Sequence, residues 1–258
     1  MDHPAFPRDP LALCRFLLKD HVRDLVDFRR TDQRRGIPSP PIQKPADPEA
    51  RRVELVPPAA FEGLGLGRMA VLEAIRRRES AREFTDEPLS LAELSFLLFA
   101  TQGVRLRLGQ AVFRTVPSAG NRHPLESYVA CRLVEGVAPG LYRYLPLDHA
   151  LALEREGPAP MEALVRGCRG QAFAAACAAA FIWTAVPCRT EWRYGLASHK
   201  VIALDAGHVC QNLYLACQAI GAGTCAIAAY DQEAMDRLVG ADGEEEFVVY
   251  LAPVGKVG

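Results

Sequence analysis

Phe247-Val248-Val249-Tyr250-Leu251-Ala252 runs six apolar or aromatic residues together without polar alternation. A strand with one wet face alternates, so this segment reads as an interior strand buried on both faces. Upstream of it, Asp231 is placed to cap a helix ending at Val239, Thr224 to Ala229 reads as a strand, and a long helix from about Val201 to Ile220 closes at Gly221. Further back, Ser127 to Val134, Leu141 to Leu145 and Ala150 to Glu154 are strands separated by turn sequences containing Gly136, Pro139, Gly140 and Pro146. That pattern is an antiparallel meander, and the whole reads as an α+β sandwich. No period of roughly 20 to 50 residues recurs, which excludes repeat architectures.

Towards the amino terminus, Ser90-Leu91-Ala92-Glu93 is a capping-box sequence; Leu94, Leu97 and Leu98 give its helix an apolar face and Gly103 a stop. Another helix runs through Met69, Leu72 and Ile75 into the basic run Arg76-Arg77-Arg78. Residues 9 to 30 carry Leu13, Phe16, Leu17, Val22, Leu25, Val26 and Phe28 at helical spacing. Thr31 to Pro58, rich in proline and charge, reads as an arm extended over a neighbouring surface. The expected division is residues 1–66, an N-terminal helix and proline-rich arm, and residues 67–258, the compact domain.

Half of the 258 residues are hydrophobic, and 30 basic against 31 acidic side chains leave a net charge of -1. No broad positive field exists to attract nucleic acid or an anionic membrane, although a local basic cluster around one phosphate is compatible. The most apolar stretch, Phe173 to Val186, is shorter than the roughly 20 residues of a membrane span and is flanked by Arg169 and Arg189. Met1-Asp2-His3-Pro4 has none of the basic-then-apolar pattern of a secretory signal, so a cytoplasmic location is expected. The eight cysteines form no CxxC pair and have no histidine at zinc-ligand spacing; they read as reduced core residues, with no metal site and no cysteine-hydrolase signature.

Three segments carry chemistry. Arg78-Glu79-Ser80-Ala81-Arg82 sets two guanidinium groups and a hydroxyl at alternate positions. In an extended chain all three point one way and suit a phosphate; a solvated basic helix end is the competing reading. Pro117-Ser118-Ala119-Gly120-Asn121-Arg122-His123-Pro124 is a polar loop stiffened by prolines, able to cradle a flat heterocycle or simply to turn into the next strand. In Gly221-Ala222-Gly223-Thr224 the first glycine ends a helix, while Gly223 serves either a tight turn or the close approach of a planar ligand. His208 reads as a hydrogen-bonded packing residue within a helix, and His123 is more open to a catalytic role.

In this order the segments resemble the nitroreductase superfamily, where an Arg-x-Ser-x-Arg element meets the FMN phosphate. Gln102-Gly103, the run from Pro117 to Glu126, Gly140-Leu141-Tyr142-Arg143-Tyr144, Asp205-Ala206-Gly207-His208 and Tyr250 to Lys256 are similar to its SagB-type dehydrogenase branch, which modifies thiazole and oxazole peptides. The resemblance covers about residues 70 to 256. It implies a mainly antiparallel sheet flanked by helices in an intertwined homodimer. It also implies FMN held by Arg78, Ser80 and Arg82 of one subunit and Pro117, Ser118, Gly120 and Asn121 of the other. Gly223 would lie near the reactive flavin edge and Lys256 near the phosphate.

Azoline-oxidising members of the branch carry a Lys-Tyr pair, and the matching position here is Arg193-Tyr194. Arginine cannot serve as a base near neutral pH, so proton removal would fall to Tyr194, with Arg193 favouring the phenolate. The competing role for Tyr194 is packing. The implied activity is hydride transfer between NAD(P)H or an organic substrate, small molecule or modified peptide, and an acceptor through flavin N5. The alternative is a non-catalytic flavin-binding or scaffold subunit of a peptide-modifying complex.

Overall fold

In chain order the secondary structure is α1 (Pro10–Leu18), β1 (Arg52–Glu54), α2 (Val71–Arg77), α3 (Leu91–Gln102), β2 (Val104–Leu108), β3 (Ala111–Arg114), β4 (Leu125–Cys131), β5 (Gly140–Leu145) and β6 (Ala150–Glu156). It continues with α4 (Ala159–Gly167), β7 (Ala179–Ala185), α5 (Cys188–Tyr194), α6 (Ser198–Gln218), β8 (Ala222–Thr224), α7 (Gln232–Val239) and β9 (Phe247–Lys256). The computed structural model describes residues 6–109 and 111–258. Seven strands make one open sheet, β1-β6-β5-β4-β7-β9-β8, in which every neighbouring pair is antiparallel. β4, β5 and β6 are the expected meander, and β2 and β3 form a separate hairpin.

Side-chain alternation along the central strands builds two cores. Leu125 and Val129 of β4 and Phe181 and Trp183 of β7 face α3 and α6, meeting Leu94, Leu98, Val209 and Leu213. Tyr128 and Ala130 of β4 and Ile182 of β7 face the opposite way, onto Met161 and Leu164 of α4 and Met235 and Leu238 of α7. Helices therefore flank the sheet on both sides. The capping box at Ser90 and Glu93 is complete, and Asp231 accepts from Ala234 N at the start of α7.

The proline-rich arm lies against its own chain. Prolines lack an N–H, so the segment cannot zip into a ladder, and its carbonyls need other donors. Buried arginines supply them: Arg114 donates to the Ile42 carbonyl at 2.6 Å, and Arg143 to those of Lys44 and Pro45 at 3.0 and 2.8 Å. Past the prolines at 38–48, β1 at residues 52–54 pairs with β6 and forms one edge of the sheet.

Four local expectations change. The first helix stops at Leu18, because it buries no side chain and nine residues without tertiary support do not propagate; 3-10 turns follow. β8 ends at Thr224, because the Ala226 amide donates to the Tyr214 hydroxyl rather than to a neighbouring strand. His208 lies exposed on α6. Phe247, Val249 and Tyr250 are only half-buried, opening onto a cleft of about 430 Å³ that Ile202 and Ala206 also line. On α2, Val71, Leu72 and Ile75 are 71%, 59% and 55% exposed, so this apolar face has no cover among the described residues.

Candidate active site

Residues 117–124 form a loop whose own side chains set its shape. Gly120, Asn121 and His123 have positive φ values of 59°, 57° and 48°. Such a backbone needs local hydrogen bonds to hold it. Ser118 Oγ donates to Asp205 Oδ2 at 2.6 Å and accepts from His123 N at 2.9 Å, while Ala119 N donates to Asp205 Oδ1 at 3.2 Å. Asn121 Nδ2 donates to the Val112 carbonyl, and its Oδ1 meets His123 Nε2 at 2.8 Å. Burial, reinforced by Arg114, pushes the His123 pKa down to about 3, so the ring is neutral and structural. Burial also raises the Asp205 carboxyl above its ordinary range, against the pull of the Ser118 bond.

Behind the loop sits a buried ionic group. The Glu126 carboxylate accepts from Arg189 and, at 2.8 Å, from Lys44 N; Arg143 stands 3.9 Å away. Arg189 also donates to the His123 carbonyl, tying α5 to the loop. Glu246 accepts from Thr184, Tyr128 and the Lys44 ammonium. Glu126, Arg143 and Arg189 were named from the sequence as members of motifs or as a flank but were given no role, and a carboxylate in a buried strand, Leu125–Cys131, was a usable signal.

α5 brings Arg193 and Tyr194 onto this loop. A Cβ on Gly120 would stand 2.6 Å from the Tyr194 hydroxyl and 2.8 Å from Arg193 Cδ, so only glycine allows this approach. Arg193 lies over the Tyr194 ring at 5.6 Å and Arg122 over Trp192 at 4.8 Å. The arm backs the helix: Trp192 Nε1 donates to the Ile37 carbonyl, and Gln33 N to that of Trp192.

Arg78, Ser80 and Arg82 lie elsewhere, beside the free edge of β8. Ser80 bridges Thr224, and Ala81 N donates to the Thr224 carbonyl. Arg78 rests on the Tyr214 ring at 5.2 Å, and the Ser80 hydroxyl meets the Tyr214 hydroxyl at 3.1 Å. Arg82 departs from the expected common direction: it turns to Phe173 at 5.9 Å, within 3.4 Å of the Ser80 carbonyl. Among the described residues neither arginine has a carboxylate at ion-pair distance. A Cβ on Gly223 would lie 2.5 Å from that of Ala81, which explains the glycine by chain packing alone. The Lys256 ammonium reaches Glu93 at 2.6 Å and the Ile220 carbonyl at 2.8 Å, joining the start of α3 to the end of α6.

Asp205, which anchors the loop, and Tyr214, on which Arg78 rests, are nine residues apart on α6, or roughly 13 Å at 1.5 Å per residue. One chain thus presents two separate groups of candidate residues, one near each of these α6 positions.

Residues 75–256 match the nitroreductase family model. A candidate nitroreductase of Methanocaldococcus jannaschii is 36% identical over 185 residues, covering 71% of this chain and 89% of that protein. The chain belongs to the nitroreductase family, and with the family comes the general class, oxidoreductase. A candidate nitroreductase structure from Ralstonia eutropha is 27% identical, with a TM-score of 0.66 over 86% of this chain and 99% of that one. One from Anabaena variabilis is 23% identical, TM-score 0.67; 84% of this chain spans only 43% of it. A chain of the Escherichia coli microcin synthetase complex, with truncated pro-MccB17 bound, shares the fold at 21% identity and TM-score 0.59, over 80% of this chain and 84% of that one. No helix among the described residues is long and apolar enough to cross a membrane.

Proposed function

We propose that this chain is an FMN-dependent oxidoreductase whose site is completed by a second copy. The observation that carries the reading is the pair of separated half-sites on α6, one of them holding two guanidinium groups without a carboxylate partner. FMN fits the chemistry of the donor set: Arg78 and Arg82 have no carboxylate partner among the described residues and keep charge-assisted donors for a phosphate, with Arg82 swinging off Phe173 to join Arg78 and Ser80. The uncovered apolar face of α2, immediately before Arg78, gives the second copy a place to dock. The family's general use of FMN, and an FMN oxidoreductase of Staphylococcus epidermidis among its fold relatives, agree with this choice.

FMN supplies hydride acceptance and donation when bound. The chain's residues do the remainder. Ser118 and Asn121, engaged inside their own loop, contribute to the cofactor's bed by shape, leaving Pro117 and the Gly120 backbone as its surface. Lys256 adds positive charge at the phosphate end, although two of its donors are already engaged. Gly223 keeps residues 80–82 close against β8, which positions the clamp. Tyr194, held against Gly120, is the candidate to accept a substrate proton, with Arg193 beside it. Substrates of this reading are NAD(P)H and a small molecule, or an azoline-bearing peptide of the kind the SagB-type branch oxidises. The fold shared with the microcin synthetase chain supports the latter only at the level of architecture.

The double variant Arg78→Ala with Arg82→Ala tests the assignment. Losing two charge-assisted bonds at roughly 1.5 to 3 kcal/mol each weakens cofactor binding on the order of a hundredfold or more, and the protein should purify colourless. Full flavin absorbance in that variant overturns the phosphate assignment.

A further inference from the structure

Arg122 closes the turn that contains Gly120 and Arg193 packs on Gly120 itself, and neither has a carboxylate at ion-pair distance among the described residues. The nearby acids are engaged: Glu126 by Arg189 and the Lys44 amide, Glu191 by His199 at 3.1 Å, Asp205 by Ser118. Two like charges held close repel unless an anion lies between them. Here both are fixed: Arg122 by stacking on Trp192, which the arm anchors through Ile37, and Arg193 by the space a glycine leaves at 120. Arg122 Nε is buried and has no hydrogen-bond partner, so a donor is already withdrawn from water with nothing to receive it. Burial and then Arg193 both lower the Arg122 guanidinium pKa, a strain that an anion would relieve.

We propose that Arg122 and Arg193 form a receptor for one anionic group, a carboxylate or phosphate, on the molecule that reacts beside Tyr194. The inference rests on the oxidoreductase reading and deepens it by naming the substrate class: an organic compound that carries a negative charge near the bond to be oxidised or reduced. Two guanidinium forks suit a planar carboxylate, and the neighbouring Tyr194 hydroxyl supplies a third polar contact.

Benzoate and benzamide, matched in shape and inert to redox, serve as probes. Each is titrated into the flavin-bearing protein while calorimetry and Trp192 fluorescence are followed; the other tryptophan, Trp183, is fully buried. Benzoate should bind about tenfold or more tighter than benzamide, with the difference shrinking as salt is added. Arg122→Gln and Arg193→Gln should each reduce the preference to within about threefold, and Arg193→Lys, which keeps the charge, should retain most of it. Equal affinities in the wild type, or a preference unchanged in both glutamine variants, overturn the proposal. A benzoate preference that appears only after flavin removal also overturns it, because the pair would then face the cofactor. Visible absorbance of the same samples keeps the two readings apart: colourless protein that still prefers benzoate contradicts the FMN assignment while leaving the anion receptor standing.

Discussion

Gly120→Ala asks whether the loop and the Arg193-Tyr194 pair act as one unit. The new methyl group would sit 2.6 Å from the Tyr194 hydroxyl and 2.8 Å from Arg193 Cδ, where ordinary contact needs about 3.5 Å. Tyr194 must therefore retreat by roughly an ångström. Residue 120 also has φ near 59°, which costs an L residue about 1 to 2 kcal/mol. For a chain of this size that is a fall of roughly 2 to 8 °C in Tm. Arg78, Ser80 and Arg82 are untouched, so the phosphate half stays intact, and turnover is compared per bound flavin because the altered loop also borders the cofactor. A one-ångström displacement of a proton-transferring group slows turnover about a hundredfold. Melting by circular dichroism, flavin absorbance and steady-state turnover on the same preparation read the three effects separately. Turnover within about threefold of wild type, with flavin bound, would refute the coupling between Gly120 and Tyr194.

The buried ionic group should be more important to stability than to chemistry. Glu126→Gln removes the negative charge paired with Arg189, whose side chain is 2% exposed, leaves that guanidinium buried without a counter-charge, and should destabilise by about 3 to 5 kcal/mol; a Tm within 2 °C or so of wild type would contradict that. His123, with its pKa lowered to about 3, stays neutral when folded but takes a proton near 6.5 when unfolded, so stability should fall as pH drops through that window, by up to roughly 1.4 kcal/mol per unit. His123→Gln should flatten this slope, and identical slopes in denaturant titrations would show that the ring does not contribute.

Much of the architecture was legible because local signals and tertiary demands agree. Ser90 and Glu93 form the capping box their spacing announces, Asp231 caps α7, and the glycine and proline turns deliver the β4-β5-β6 meander. Where they disagree, the pattern misleads. The apolar spacing of residues 9–30 promised one helix, but Leu11 and Leu18 are 59% and 73% exposed and nothing among the described residues supports a longer one. Phe247 to Ala252 has an interior composition, yet three of its residues open onto a cleft, a mismatch that a covering second copy would remove.

For the candidate site residues, the structure adds the local contacts that a linear sequence does not show. Ser118 and Asn121 look like ligand-binding side chains in a linear sequence, whereas the structure engages both in shaping their loop. Gly223 looked like room for a flat ligand and is accounted for by Ala81. Periodicity carries no information on pairings 80 or more residues apart, so the attachment of Lys44 to Glu126 and Glu246 was out of its reach. The meeting of Tyr194 with Gly120 was hidden for the same reason: it depends on β7 pairing antiparallel with β4, which sets the start of α5 beside the loop that precedes Leu125.

The central claim, one cofactor site built from two chains, is tested most directly by complementation. The Arg78→Ala, Arg82→Ala variant lacks the phosphate half, and an Asn121→Ala variant loses the bond to Val112 that shapes the other half. Each alone should bind little FMN. Subunits exchanged under mild denaturant and returned to buffer with excess FMN should yield mixed dimers with one intact site of two. Flavin absorbance in the mixture should then rise towards a quarter of the wild-type value, since about half of randomly paired dimers are mixed. No recovery, in a mixture shown by native mass spectrometry to contain the heterodimer, would contradict a site shared between subunits.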